Sequence, residues 1–141
     1  MQTCTLTEKM KEFFDRDLAM ITTVSNSGEP NVGPKRSARV LDDHRLIFNE
    51  NTGGKTYKNI LENKKVVVAI ANLEKLQGYR FVCEAEVYTD GEYMQMCTEY
   101  AFNKYKAKAP KAAIVLNIKE IHTLQIGPLA GKMLQPVDET K

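Results

Sequence analysis

Hydrophobic side chains recur along this chain at two spacings, every second residue in some segments and every third or fourth residue in others. The helical spacing begins after Thr5, where Glu8 three residues later completes a capping-box signature, and it predicts a first helix near residues 6–16. The same spacing predicts a short helix over residues 56–63 and an amphipathic helix between residues 90 and 106.

Segments with the β-branched or alternating pattern of strands lie between these helices. They cover residues 18–24, 31–40, 45–48, 66–70, 79–88 and 112–126. Turn-forming residues at 25–30 and 42–43 join the first three segments as a meander. Six strands linked mostly by hairpins predict an all-β dominated fold, a six-stranded antiparallel split barrel with two or three peripheral helices, rather than an alternating parallel α/β fold.

The composition is that of an ordinary globular protein and limits the classes of partner. The chain has 141 residues with no repeat or linker, so we expect a single domain over residues 1–141. The formal net charge of +2 is too small to indicate nucleic acid as a partner. Neither a basic and apolar leader nor an apolar run of about 20 residues is present, so we expect a cytoplasmic protein without a membrane partner.

The cysteines do not indicate a disulfide framework or a metal site. Cys4, Cys83 and Cys97 are an odd number and widely spaced, with no Cys-x-x-Cys and no nearby histidine pair. We expect buried, reduced thiols and no bound metal.

The segment from Phe48 to Asn59 carries the clearest chemical signal. It reads as a strand, a glycine-containing loop and a helix, an order that points backbone N–H groups and a helix N-terminus at one place, where an anion binds. Lys55 adds a positive charge, Thr56 adds a hydroxyl donor, and Gly54 lets the backbone approach a phosphate closely. The alternative interpretation is a glycine-rich turn with a solvated lysine.

This loop also imitates the end of a nucleotide-binding P-loop, in the residues Gly54-Lys55-Thr56. Asn49, however, stands where that motif requires its first glycine. A P-loop further needs a parallel sheet and a metal-holding aspartate on another strand, and the hairpin order provides neither. The sequence therefore argues against ATP or GTP hydrolysis.

Three cations stand on the predicted strand before this loop. In an uninterrupted strand Lys35 and Arg39 share one face, where both can bind one anion, while Arg36 takes the other face. A sheet edge protected by charge explains the same residues equally well.

Together these parts resemble the FMN-binding split barrel of the pyridoxamine 5'-phosphate oxidase family, including its small FMN-binding proteins and nitroimidazole-resistance relatives. The resemblance runs from Leu18 to Thr89. It consists of a basic and polar strand, a hydrophobic strand, a small-residue loop with basic or hydroxyl side chains, a short helix and a buried strand. In this chain these parts are residues 34–40, 46–49, 52–56, 57–63 and 66–70.

The resemblance implies FMN as the cofactor and assigns residues to its phosphate and ribityl chain. Lys55 and Thr56, with help from Gly54, are expected to bind the phosphate. Asn49 and Glu50 are expected near the ribityl chain.

The flavin ring has its own set of expected neighbours. The resemblance places Lys35, Arg36 and Ser37 at the edge of the isoalloxazine. Arg39 stands where the family's oxidases have a lysine close to the flavin, and a cation there favours the anionic reduced flavin by Coulomb attraction. The sequence identifies no catalytic acid, base or nucleophile.

Two departures separate the chain from the family's oxidases. Lys55-Thr56 stands where those oxidases carry an Arg-Lys pair, and the chain has no tryptophan to match their C-terminal one. Oxidation of vitamin B6 is therefore not expected.

The function that the resemblance implies is an FMN-dependent oxidoreductase for a small molecule, built as a homodimer with FMN near the interface. In that dimer Tyr79, Arg80 and Phe81 would approach the partner's flavin, or they are simply barrel residues. A second possibility is a non-catalytic flavin-binding carrier or sensor that serves a redox partner. A third is a split barrel that binds deazaflavin F420 or haem.

Overall fold

The computed structural model of the chain describes residues 3–137. Within these residues it contains three helices and eight strands. The helices are α1 (Glu8–Arg16), α2 (Lys55–Asn63) and α3 (Gly91–Tyr105). The strands are β1 (Ala19–Val24), β2 (Pro30–Lys35), β3 (Arg39–Asp42), β4 (Arg45–Glu50), β5 (Lys65–Asn72), β6 (Gln77–Tyr88), β7 (Ala112–Thr123) and β8 (Met133–Gln135).

The strands form one antiparallel sheet in the order β2-β1-β5-β6-β7-β4-β3, with β8 paired to the end of β7. Strands β2 and β3 follow each other in the sequence but lie at opposite ends of this order. Residues 36–38 therefore connect one edge of the sheet directly to the other. The sheet must curl to allow this connection, and the predicted class, a mostly β split barrel with peripheral helices, is confirmed.

The core lies inside the curled sheet and consists of the inward-facing residues of every second strand position. Its largest fully buried hydrophobic side chains are Phe13, Phe48, Phe81, Ile21, Leu46, Ile60, Ile70, Ile114, Leu116 and Ile121. Ile47 instead packs on the other face of the sheet, in a smaller cluster with Cys97 of α3. Helix α1 contributes Phe13, whose ring meets the edge of Tyr79 at 5.4 Å between centroids. Such aromatic contacts add to the free energy of burial that holds the helix against the barrel.

The number of strands differs from the six predicted, for two reasons. The segment predicted as one strand over residues 31–40 is broken into β2 and β3, with a turn in which the Ala38 N–H donates to the Lys35 carbonyl oxygen at 3.1 Å. The break is required because β2 pairs with β1 and β3 pairs with β4, at the two ends of the sheet. Strand β8 lies in the tail after Gly127, where no alternating pattern marks a strand.

Side-chain contacts correct one local prediction and favour one of two alternatives for another. The N-cap of α1 is Thr7 rather than Thr5, because the Thr7 hydroxyl accepts the Met10 N–H at 3.2 Å. Tyr79 and Phe81 are buried in the barrel core, which agrees with the alternative that they are simply barrel residues. Arg80 alternates to the outer face of the same strand.

The cysteines agree with the expectation of buried, reduced thiols. Cys4, Cys83 and Cys97 are buried and not bonded to one another. Burial raises the pKa of the Cys83 thiol above its ordinary value. Within residues 3–137, no helix has the length and apolar character needed to cross a membrane.

Candidate functional site

The residues singled out from the sequence meet where the two edges of the sheet come together. Lys35, at the end of β2, donates from Nζ to Oε1 of Glu50, at the end of β4, at 3.0 Å. In the connecting turn, the Ser37 hydroxyl accepts the Asn49 N–H at 2.9 Å and donates to the Asn49 carbonyl oxygen at 3.4 Å. These side-chain contacts join β2 to the end of β4, two strands that are not paired by backbone hydrogen bonds.

Glu50 is a fully buried carboxylate whose oxygens are occupied by donors of the protein. Besides Lys35, it accepts the Thr52 N–H at 3.0 Å, the Thr52 hydroxyl at 3.2 Å and the Gly53 N–H at 2.9 Å. Burial opposes ionisation, but the Gly53 N–H and the Lys35 ammonium outweigh it and hold the pKa of the Glu50 carboxyl below its ordinary value. Glu50 therefore carries a negative charge that the loop donors stabilise and that Lys35 balances.

Arg39 does not share a face with Lys35, as the prediction of an uninterrupted strand required. The turn at residues 36–38 redirects it under α3, where its guanidinium lies 3.6 Å from the centre of the Tyr100 ring. It donates to the Ser37 carbonyl oxygen at 2.8 Å and to Oδ1 of Asn49 at 3.2 Å, and its Nη2 lies 3.7 Å from the Cys97 sulfur. The structure thus places Arg39 behind Tyr100.

A cavity of about 910 Å³ opens beside the turn. Four of the residues named from the sequence line it: Lys35, Arg36, Ser37 and Asn49. The other lining residues are Leu18, Pro34, Asn51, Thr52, Tyr100, Ala101, Tyr105, Ala107, Lys108, Ala109 and Lys111. The charged side chains among these lining residues are all cationic, so the cavity favours an anionic ligand.

One wall of this cavity was missed by the sequence reasoning, because it comes from the end of α3 and the loop that follows. Its aromatic residues, Tyr100 and Tyr105, lie on the helix predicted between residues 90 and 106 but were not named as site residues, and Arg36 lies 5.3 Å from the centre of the Tyr105 ring. A signal was available in the charges: lysines stand at 104, 106, 108 and 111, with no carboxylate between Glu99 and Glu120.

The predicted phosphate-binding residues lie on the neighbouring loop rather than in the cavity lining. Gly54 is the N-cap of α2 and supplies no side-chain cap, which leaves the N–H groups of the first turn for another acceptor. Lys55 is exposed at the start of the helix, and the Thr56 hydroxyl accepts Nδ2 of Asn31 at 3.1 Å. Thr52 connects the cavity to the start of α2, because it lines the cavity and its hydroxyl accepts a hydrogen bond from the Gly54 N–H at 3.4 Å.

Lys111 brings a further cation to this loop from the far end of the chain. Its Nζ lies 3.1 Å from the position that a Cβ on Gly53 would take. Gly53 has a φ of +68°, a conformation that residues with a side chain rarely adopt. The Lys111 N–H also donates to the Glu50 carbonyl oxygen at 2.8 Å, which ties the start of β7 to the same loop.

Comparison with known proteins gives consistent matches over most of the chain. A family model for pyridoxamine 5'-phosphate oxidase matches residues 6–125. An uncharacterised protein of Methanocaldococcus jannaschii is 37% identical over 131 residues, which are 92% of this chain and 87% of that protein. The crystal structure of HupZ from Group A Streptococcus is 42% identical, with a TM-score of 0.82 over 89% of this chain and 99% of that one. An FMN-binding protein from Syntrophomonas wolfei shares the fold at 22% identity, with a TM-score of 0.74 over 85% of this chain and 86% of that one.

Proposed function

The chain belongs to the pyridoxamine 5'-phosphate oxidase family, and from this we propose that it is an FMN-dependent oxidoreductase that acts on a small molecule. The observation that carries the proposal is the position of an uncapped helix N-terminus, with Lys55 at its start, beside a cavity whose charged lining is cationic. The shared fold of an FMN-binding protein supports the choice of cofactor.

The residues present fit FMN in size and in charge. Pockets for small ligands occupy about 300 to 1,000 Å³, and a cavity of about 910 Å³ lies in the upper part of this range. A phosphate dianion suits the open N–H groups of α2, where the helix dipole and the Lys55 ammonium add attraction. When bound, FMN supplies the electron-transfer chemistry, which the protein's own side chains lack.

Each predicted residue then has a proposed role. Gly54, Lys55 and Thr56 hold the phosphate. Asn49 and Glu50 lie near the ribityl chain, and both are already hydrogen-bonded within the protein, so they shape the site rather than change partners. Lys35, Arg36 and Ser37 lie at the edge of the isoalloxazine ring. Arg39, which stacks on the Tyr100 ring, acts on the flavin through its charge.

A flavin-binding electron carrier is the second candidate, and the exposed surface at the end of α3 favours it. Tyr105, which lines the cavity, is 41% exposed, and Phe102 on the same helix is 61% exposed, among the lysines at 104, 106 and 108. An exposed cationic and aromatic surface suits brief docking of an acidic redox protein. To separate the two candidates, the bound flavin is reduced with NAD(P)H and then offered an electron acceptor. Transfer to a small molecule indicates an enzyme, and transfer only to a protein indicates a carrier.

We further propose a homodimer, formed through the outer face of β2, β1, β5 and β6. Thr22 pairs with Val32 on one side and with Val67 on the other, and Val67 pairs with Val82, so four side chains form a row. Pro34, Met20, Ala69 and Arg80 form the next row. Val32 is 59% exposed, and an apolar sheet face of this kind is typical of the interface between two identical chains. The cytoplasmic location stays a prediction.

The proposal is tested by titrating the purified protein with FMN, alongside Lys55→Ala. Loss of a charge-assisted contact to the phosphate costs about 2 kcal/mol, so the variant is expected to bind FMN about 30-fold more weakly. Lys9→Ala, which removes an exposed cation from α1, is the matched control and should bind normally. The proposal is refuted if the wild-type protein does not bind FMN. Spectral changes on titration with haem or F420 would then identify that compound as the cofactor instead.

A further inference from the structure

We infer that Glu50 is a positioning residue: an internal anion that orders the loop Thr52–Gly54 so that bound phosphate is directed to the first turn of α2. The inference rests on the proposed FMN function and gives Glu50 a task different from contact with the ribityl chain. It follows from which backbone N–H groups of the loop are hydrogen-bonded to Glu50 and which remain free to bind a phosphate.

The carboxylate of Glu50 occupies the donors at the beginning of the loop. Its Oε2 accepts the N–H groups of Thr52 and Gly53 at 3.0 and 2.9 Å and the Thr52 hydroxyl at 3.2 Å. Each oxygen of an ionised carboxylate has about two acceptor positions, so these three donors fill Oε2, while Lys35 takes one position on Oε1. In this loop a side-chain carboxylate therefore occupies backbone N–H groups that an incoming phosphate would otherwise take.

The next donor in the loop is also occupied, through a relay. The Thr52 hydroxyl gives its hydrogen to Glu50 and accepts the Gly54 N–H at 3.4 Å. The open donors therefore begin after Gly54, at the uncapped first turn of α2. Glu50 thus determines where along the loop an anion binds, although its own oxygens face the protein.

A carboxylate so close to a phosphate site would repel the phosphate unless its charge were balanced. Lys35 supplies that balance at 3.0 Å, with its side chain only 15% exposed. The pair is buried, and removing one member of a buried ion pair leaves an uncompensated charge. Lys35 and Glu50 therefore work as one unit that holds the edges of the sheet together and keeps the loop neutral.

The test compares FMN with riboflavin, which lacks the phosphate, in Glu50→Gln and wild-type protein. We expect Glu50→Gln to bind FMN about tenfold more weakly, because its amide nitrogen cannot accept the loop N–H groups, while riboflavin binding changes less than about twofold. Thr52→Val, which removes only the hydroxyl relay, should lower FMN affinity in the same selective way by a smaller factor. Glu74→Gln, at an exposed carboxylate in the β5–β6 turn, is the control.

A second measurement needs no flavin and keeps the inference testable if a variant is less stable. Amide hydrogen exchange in the ligand-free protein should show Thr52 and Gly53 protected in the wild type and exposed to exchange in Glu50→Gln. Equal loss of FMN and riboflavin binding, or unchanged protection of both amides, would overturn the positioning role. Wild-type protein that binds neither flavin would refute the proposed function, and the phosphate role of Glu50 with it.

Discussion

At the scale of single residues, the Glu50 carboxylate links stability to pH. Its pKa in the folded protein lies below the ordinary value of 4.5, because the Gly53 N–H and Lys35 outweigh the effect of burial. A lowered folded pKa stabilises the protein above about pH 4.5, and this contribution is lost as the pH falls through the folded pKa. We expect the difference in unfolding free energy between wild type and Glu50→Gln to shrink from pH 7 to about pH 3 in urea titrations. A difference independent of pH would contradict this assignment.

At the scale of elements, the β5–β6 hairpin depends on close approach at Gly78. A Cβ at this position would lie 2.6 Å from the Ile70 carbonyl oxygen and 2.8 Å from the Ala71 Cβ. Because backbone atoms cannot move aside cheaply, Gly78→Ala should lower the free energy of unfolding by about 1 to 3 kcal/mol, measured by urea denaturation. Gly33→Ala on β2 is the matched control, since nothing lies within 4 Å of its Cβ position, and it should leave stability unchanged.

At the scale of the whole molecule, the proposed homodimer depends on the outer sheet face. Val32→Asp would place a charge on the apolar face proposed as the interface, and we expect self-association to weaken by roughly tenfold or more. Sedimentation velocity over a range of concentrations measures this shift from dimer to monomer. Leu73→Asp, at a side chain 87% exposed in the β5–β6 turn, should remain dimeric. A wild-type protein that sediments as a monomer would refute the dimer.

What the sequence predicted well is what local spacing encodes. The alternating segments became strands, and the order of strand, glycine loop and helix from Phe48 to Asn59 formed as expected. The uncapped start of α2 beside Lys55 and Thr56 follows from the same short segment. These features depend on residues only a few positions apart, so the chain's local pattern is enough to specify them.

What the sequence could not predict involves residues far apart in the chain. The break at residues 36–38 arises because β2 and β3 find partners at opposite ends of the sheet, which no local pattern records. The wall formed by Tyr100 and Lys108 reaches the cavity only after α3 packs beside β4 and β7.

The sequence by itself therefore determined the mostly β class, the helix positions and the order of strand, glycine loop and helix, since each rests on spacing within one segment. Only the tertiary structure decided that Glu50 is bound by Lys35 and the loop N–H groups, and that Arg39 lies under Tyr100. The physical reason is the curl of the sheet, which brings its two ends together. Charged residues such as Lys35 and Glu50 meet there only in the folded protein, so their positions in the sequence do not show that they pair.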